Sequence, residues 1–224
     1  MRKAQLYLVP TPIGNMEDIT LRALRVLKEV DYILAEDTRQ TGKLLSHYEI
    51  DQKTVPFHSH NEHKITAKVM ADLESGMQVA LVSDAGTPGI SDPGFLLARA
   101  CRKHRVSFTT LPGATAVIPA LVNSGLPCEK FVFEGFLPHK KGRKTRLEMV
   151  AEEGRTVVLF ESTHRILKLL GELNEILEPD RLVSVSREIT KLYEETVTDT
   201  PEAVCEYFQA NSTKGEFVVV VAGK

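Results

Sequence analysis

The sequence predicts an α/β protein of two domains, the first built on a mostly parallel sheet and the second on a mixed sheet. Three observations predict it. From Leu6 to Leu111, short apolar runs alternate with amphipathic stretches of helical length, the βαβα rhythm of a parallel sheet with right-handed crossovers. The apolar runs end in Gly- and Pro-rich stretches, most of all in Val79–Gly94, VALVSDAGTPGISDPG. Beyond 112–127 the texture changes to more strand-like runs with fewer helices, which places domains at 1–114 and 115–224.

Leu6–Val9 is the first strand and ends at Pro10–Asn15. Thr20 is a suitable N-cap for a helix whose Leu21, Leu24 and Leu27 share one face. Tyr32–Ala35 is the second strand, ending at Glu36, Asp37, Thr38 and Arg39, with a helix from Thr38 to about Tyr48. Val55–Phe57 is the third strand, and a helix runs from about Glu62 to Glu74. Val79–Ser83 is the fourth strand, an apolar run suited to a sheet covered on both faces. A helix from Pro93 to about His104 follows, with Pro in the permitted first turn. Val106–Leu111 is the fifth strand, ending at Pro112–Ala116, with a helix from about Thr115 to Asn123. In the second half, strands are expected at 131–136, 156–160, 182–188, 194–198 and 217–221. Helices are expected directly after the strand at 131–136, a basic one, over 166–177 and near 201–208.

Composition narrows the class. Of 224 residues, 42% are hydrophobic and 26% charged, which excludes disordered and collagen-like chains. The formal net charge of −2 gives no global signature of nucleic-acid binding, although it can hide a local patch. Three cysteines without CxxC spacing suit a reducing compartment and packed or surface thiols. The apolar run near the N-terminus is too short for a signal peptide, and no run approaches the roughly 18 residues of a membrane span. A cytoplasmic protein is expected.

Three strand-end loops, at 10–15, 84–94 and 112–116, carry more turn chemistry than a strand-to-helix step needs. Open α/β sheets place ligands at such carboxyl ends. The loop at 84–94 is read as a ligand loop rather than an ornate turn. Motifs of other ligand classes are missing: there is no GxGxxG after the first strand, no GxxxxGK[ST] and no GxSxG. His58, His60 and His63 are close in sequence, but metal ligands usually come from separated elements. They are read as loop residues, with Asn61 or Ser59 capping the next helix.

The ordered set LVPTPIGN (8–15), AEDTR (35–39), HNE (60–62), SDAGTPGISDPG (83–94), LPGATA (111–116), FEGFLP (133–138), FESTHR (160–165), SREITK (186–191) and KGEFVVVV (214–221) resembles the ribosomal RNA small subunit methyltransferase I family. That family is a branch of the tetrapyrrole methylase-like, class III methyltransferases. The resemblance covers nearly the whole chain. It implies a tetrapyrrole methylase-like fold, a homodimer, and S-adenosylmethionine bound between the domains. It also implies methylation of the 2′-hydroxyl of a cytidine in the decoding region of small-subunit rRNA, on naked rRNA or the assembled subunit. Members of the family continue beyond the strand at 217–221, whereas this sequence ends at Lys224.

Carried over by position, the resemblance implies cofactor contacts at Ile13 and Gly14, where relatives have Pro-Gly. It implies further contacts at Ala85, Gly86, Thr87 and Ile90. Thr87 stands where relatives carry Asp, so a hydrogen bond made there passes to Asp84. Thr115 and Ala116 match the pair opening the linker helix, and Glu161 and Ile189 match contacts from the second domain.

Five cations in eight residues, Lys140, Lys141, Arg143, Lys144 and Arg146, read in isolation as either a solvated helix face or a phosphate-binding patch. Beside the resemblance they read as an RNA contact, with Arg39 and Arg165 nearer the target. Five phosphate contacts predict a log–log salt slope of roughly −3.5 to −4.5. Deprotonating a ribose hydroxyl calls for a proton acceptor, and Glu36 and Asp37 are the candidates, with Asp84 and Glu161 in reserve. Asp37 is equally placed to cap the helix at Thr38. No metal is expected. Two other readings stand beside this one: a tetrapyrrole C-methyltransferase, which the basic run argues against, and a non-catalytic RNA-binding assembly module.

Overall fold

A computed structural model describes residues 4–224, and the chain falls into two compact units that divide after Thr115. In the first unit, β1 (Leu6–Leu8), β2 (Tyr32–Ala35), β3 (Thr54–Pro56), β4 (Val79–Val82) and β5 (Phe108–Thr110) form a five-stranded sheet in the order β3-β2-β4-β1-β5. Every pairing in it is parallel. β2 and β4 are buried at every position, as expected of strands with helices on both faces.

Successive residues of these strands point to opposite sides. Ile33, Ala35, Ala80 and Val82 pack with α1 (Leu21–Glu29) and α2 (Thr38–His47). Leu34, Val79 and Leu81 pack with α3 (Glu62–Glu74) and α4 (Phe95–His104). The neighbours β1 and β4 therefore send their following helices to opposite faces. That divergence opens a crevice at the carboxyl edge, the position where open α/β sheets bind ligands.

The first unit departs from the sequence expectation in the inward face of α1 and in the start of α4. Thr20 caps α1 by accepting the N–H of Ala23 at 3.0 Å, as expected. The buried stripe, however, is Ala23, Val26 and Leu27, and Leu21 is 86% exposed. The helix expected from Pro93 begins at Phe95, because Gly94 sits at φ +130, outside helical space. Any Cβ at position 94 would lie 2.8 Å from Leu81 Cδ2, so glycine is required there both by conformation and by space.

In the second unit α5 (Val117–Asn123), β6 (Phe131–Phe136), α6 (Arg143–Glu152), β7 (Thr156–Ser162), α7 (Ile166–Ile176), β8 (Val183–Arg187), β9 (Glu195–Asp199), α8 (Pro201–Ala210) and β10 (Glu216–Val221) follow in order. The sheet order is β6-β7-β10-β8-β9. Only the β6–β7 pair is parallel, so the sheet is mixed. Leu147, Ile166, Leu169, Leu173, Val204 and Phe208 bring α6, α7 and α8 onto Val157, Leu159, Val185, Phe217 and Val219 in one core. α5 lies against β8 and β10. No helix among the described residues is long and apolar enough to cross a membrane.

Candidate functional site

The three strand-end loops of the first unit are joined to one another. Thr11 and Gly86 form an antiparallel bridge, Thr11 N–H to Gly86 O at 3.0 Å and Gly86 N–H to Thr11 O at 2.9 Å. The Thr11 hydroxyl donates to Ser83 O at 3.0 Å, and the Thr87 hydroxyl to Ala114 O at 3.4 Å. A Cβ on Gly113 would fall 2.7 Å from Pro10 Cβ, which measures how closely the 112–116 loop approaches the first. Ile13, Gly14, Ala85, Gly86, Thr87 and Thr115 thus belong to one rim. Beside it, an open cleft is lined by Thr11, Gly14, Gln40, Thr41, Ser83 and Asp84, among others. Gln40 and Thr41 gave no signal in sequence beyond lying on a helix. Ile90 is on the same loop and 49% exposed. Ala116 occupies the N-cap position of α5, in the second unit.

The far end of the 83–94 loop is tied down by a residue of α3. Glu62, 8% exposed, accepts Gly94 N–H at 3.0 Å and Leu96 N–H at 3.3 Å. Asn61 does not cap α3. Its Oδ1 accepts His58 N–H at 2.8 Å and its amide donates to Pro56 O at 3.0 Å, so it closes the preceding loop instead. No group of three His, Cys, Asp or Glu able to hold a metal ion occurs among the described residues.

Carboxylates gather where β2 and β4 end. Asp84 accepts Asp37 N–H through Oδ1 at 3.0 Å, and donates its own N–H to Glu36 Oε2 at 3.4 Å. Burial and the nearby charges of Glu36 and Asp84 push Asp92 up to about 6. Glu36 is also raised, chiefly by burial, with the Asp84 charge adding to it and the Asp84 N–H and His58 opposing it. Asp37 goes the other way. It accepts Arg39 N–H at 2.8 Å as the N-cap of α2, and its Oδ2 lies 2.7 Å from Arg39 Nη2. Those bonds hold its carboxyl down at about 2. A carboxylate so stabilised is a poor proton acceptor, and capping is the role the geometry gives it. Arg39 itself is exposed, its guanidinium engaged by Asp37.

In the second unit the basic run separates into two kinds of residue. Lys140, Lys141 and Lys144 are exposed, Lys144 standing 3.9 Å from Glu148. Arg146 pairs with Glu134 at 3.1 Å. Arg143 is buried against Glu172 at 2.6 Å and is out of reach of a phosphate, a correction to the sequence expectation. Arg165 is likewise turned inward, 2.8 Å from Glu161 Oε1. Glu161 is 2% exposed, and its carboxylate faces these arginines. Ile189 is buried between Glu188 and Thr190, both at positive φ.

The chain matches the family described as Tetrapyrrole (Corrin/Porphyrin) Methylases over residues 5–204. It is 48% identical to ribosomal RNA small subunit methyltransferase I of Synechocystis, covering 97% of this chain and 78% of that protein. To the protein of the same name from Vibrio cholerae it is 50% identical, over 97% of this chain and 77% of the other. The solved structure of a cobalamin biosynthetic enzyme, cobalt precorrin-4 methyltransferase, superposes with a TM-score of 0.70 at 17% identity, over 97% of this chain and 94% of that one; at that identity the likeness is one of fold. The chain belongs to the tetrapyrrole methylase family and, within it, to the ribosomal RNA small subunit methyltransferase I branch.

Proposed function

We propose that this protein methylates small-subunit rRNA with S-adenosylmethionine as donor, and that the acceptor is the 2′-hydroxyl of a cytidine in the decoding region. The observation that carries the proposal is the joined rim of three loops in a chain about half identical to proteins named as small-subunit rRNA methyltransferases. The rim fits such a donor. Its main-chain groups are brought together by three loops, and Gly86, at φ +76, packs between Ile13 Cγ2 and the carbonyl of Ala114. Asp84 and the half-buried Glu36 supply carboxylates beside it for amino and hydroxyl groups.

S-adenosylmethionine, when bound, supplies a methyl group already activated on a sulfonium. The protein's task is then alignment, and holding reactants in line is worth on the order of 7–11 kcal/mol. Ile13, Gly14 and 85–87 orient from the rim, with Thr115 and Ala116 after them. Glu36, with its raised affinity for protons, accepts the ribose proton at its carboxylate, a contribution of typically about 10²–10⁴-fold. Lys140, Lys141 and Lys144 meet phosphates. With Arg143 turned inward and Arg146 paired with Glu134, three contacts lower the expected salt slope to roughly −2 to −3. Further parts of the proposal are a cytoplasmic homodimer and functional domains at 1–114 and 115–224.

The test is transfer of tritium from labelled S-adenosylmethionine to assembled small subunits, to naked rRNA and to a tetrapyrrole, alongside a calorimetric titration of the donor. Label on a cytidine ribose supports the proposal. Label on the macrocycle, or donor binding with no transfer, overturns it.

A further inference from the structure

Arg143 sits inside the basic run, yet its side chain is 5% exposed. Its Nε and Nη2 donate to Glu172 Oε2 at 2.9 and 2.6 Å, and its Nη1 donates to the carbonyl of Pro138 at 3.2 Å. Arg165 repeats the pattern, with Nη2 2.8 Å from Glu161 Oε1 and Nη1 donating to the carbonyl of Leu137 at 3.1 Å. Glu161 Oε1 also accepts Ser162 N–H at 2.8 Å, while its Oε2, 3.9 Å from Arg143 Nη2, has no hydrogen-bond partner. Two cations and two anions therefore face one another, with Lys168 at 3.8 Å from Glu172 on the outer side, and removing one member leaves the buried Arg143 or Glu161 short of a partner.

Both guanidinium groups grip consecutive carbonyls, at the point where β6 hands over to the segment bearing Lys140 and Lys141. Arg143 N–H also bonds the carbonyl of Lys140 at 3.2 Å. The two lysines are exposed, and neither forms an ion pair among the described residues. A turn that only had to reverse the chain would be satisfied by its own main-chain bonds. Here four charged side chains lie beneath it as well, the two arginines bonded to the carbonyls of Pro138 and Leu137.

We infer that the Arg143–Glu172 and Arg165–Glu161 pairs are positioning residues that hold 137–142 so that Lys140 and Lys141 meet RNA phosphates together. The inference rests on the rRNA methyltransferase proposal above. Arginine is required because one planar fork must serve a carboxylate and a carbonyl at once. Lysine, a single ammonium, keeps the charge and loses that reach.

The experiment is the salt dependence of binding of a fluorescein-labelled RNA hairpin to the full chain, followed by anisotropy. Lys140→Ala with Lys141→Ala should flatten the log–log slope by roughly 1.4–1.8. Arg143→Lys and, separately, Glu172→Gln should each flatten it by a comparable amount, and neither should flatten it further in the double-lysine background. A residue 143 that touched phosphate directly would keep the wild-type slope as lysine. If melting shows Arg143→Lys unfolded, Glu172→Gln, which preserves shape at a half-buried position, carries the test, with S-adenosylmethionine affinity unchanged as its control. Wild-type slopes in both variants, or flattening that adds to that of the lysine pair, overturn the inference while leaving the RNA proposal standing. A flat slope in the wild type overturns the RNA proposal, and this inference with it.

Discussion

Glu62 Oε1 lies 3.0 Å from the main-chain nitrogen of Gly94, 32 residues further along the chain. The first turn of α4 leaves N–H groups without helical partners, and Gly94, at its N-cap position, has no side chain to offer them. A carboxylate borrowed from α3 takes that place, with its charge at the positive end of the helix. The cap also anchors the end of the 83–94 loop, so the stability of α4 and the shape of the rim depend on the same oxygen.

Glu62→Ala removes an acceptor of two N–H groups. The expected loss is about 2–3 kcal/mol, in the range for bonds to a charged group. For a chain of this size it corresponds to a melting temperature lower by roughly 5–10 °C. Glu62→Gln keeps the acceptor and should lose less. A melt of Glu62→Ala that overlays the wild type would remove the cap from this account.

Gly113→Ala introduces a carbon 2.7 Å from Pro10 Cβ. Relief requires the first and third loops to part, at about 1–3 kcal/mol. If the joined rim holds the donor, calorimetry should show S-adenosylmethionine binding weakened about tenfold, equivalent to about 1.4 kcal/mol. Gly42→Ala, in α2 with nothing within 4 Å of the added carbon, is the matched control and should bind normally.

Asp37 and Glu36 adjoin in sequence and differ in proton affinity, one held at about 2 and the other raised. Glu36→Gln should therefore lower methyl transfer by roughly 10²–10⁴-fold while donor binding persists. Asp37→Asn retains an oxygen for the Arg39 N–H and should keep transfer within a few-fold. The reverse ranking in single-turnover assays would make Asp37 the acceptor.

Asp92 carries a sign that can be tested by titration. Its folded value of about 6 exceeds its ordinary 3.8, so between these values the folded state holds more protons than the unfolded one, and stability falls as pH rises. Asn mimics the protonated form. Asp92→Asn should match the wild type below about pH 4 and become progressively more stable than it up to about pH 6. Urea unfolding at several pH values measures the difference; a gap that closes as pH rises would contradict it.

The strands were legible because burial on both faces leaves an unbroken apolar run, as in Ile33–Ala35 and Val79–Val82. The inward face of α1 was not. Ala23 is small and buried while Leu21 is large and exposed, so apolar ranking selects the wrong stripe. The crowding of loops at 10–15, 84–94 and 112–116 was visible in their Gly and Pro content, but the Thr11–Gly86 pairing was not. Arg143 had an overlooked signal, since it stands four and seven residues before the buried Leu147 and Val150 and so shares their helical face. Its partner Glu172 is 29 residues distant, and no local pattern encodes that distance. Glu62 and Asp92 lie within sequence motifs that assign them no role, because each acquires one only from groups brought to it by folding.

The Thr11–Gly86 bridge has a practical consequence for anyone dissecting the protein. Both of its hydrogen bonds are made by amides, so truncating side chains one by one leaves these two bonds intact. Swapping the amide at position 86 for an ester by chemical ligation would sever one bond and leave every side chain in place. The link between two loops whose helices lie on opposite faces would then be loosened but not lost, since Thr11 N–H to Gly86 O and the Thr11 hydroxyl to Ser83 O remain.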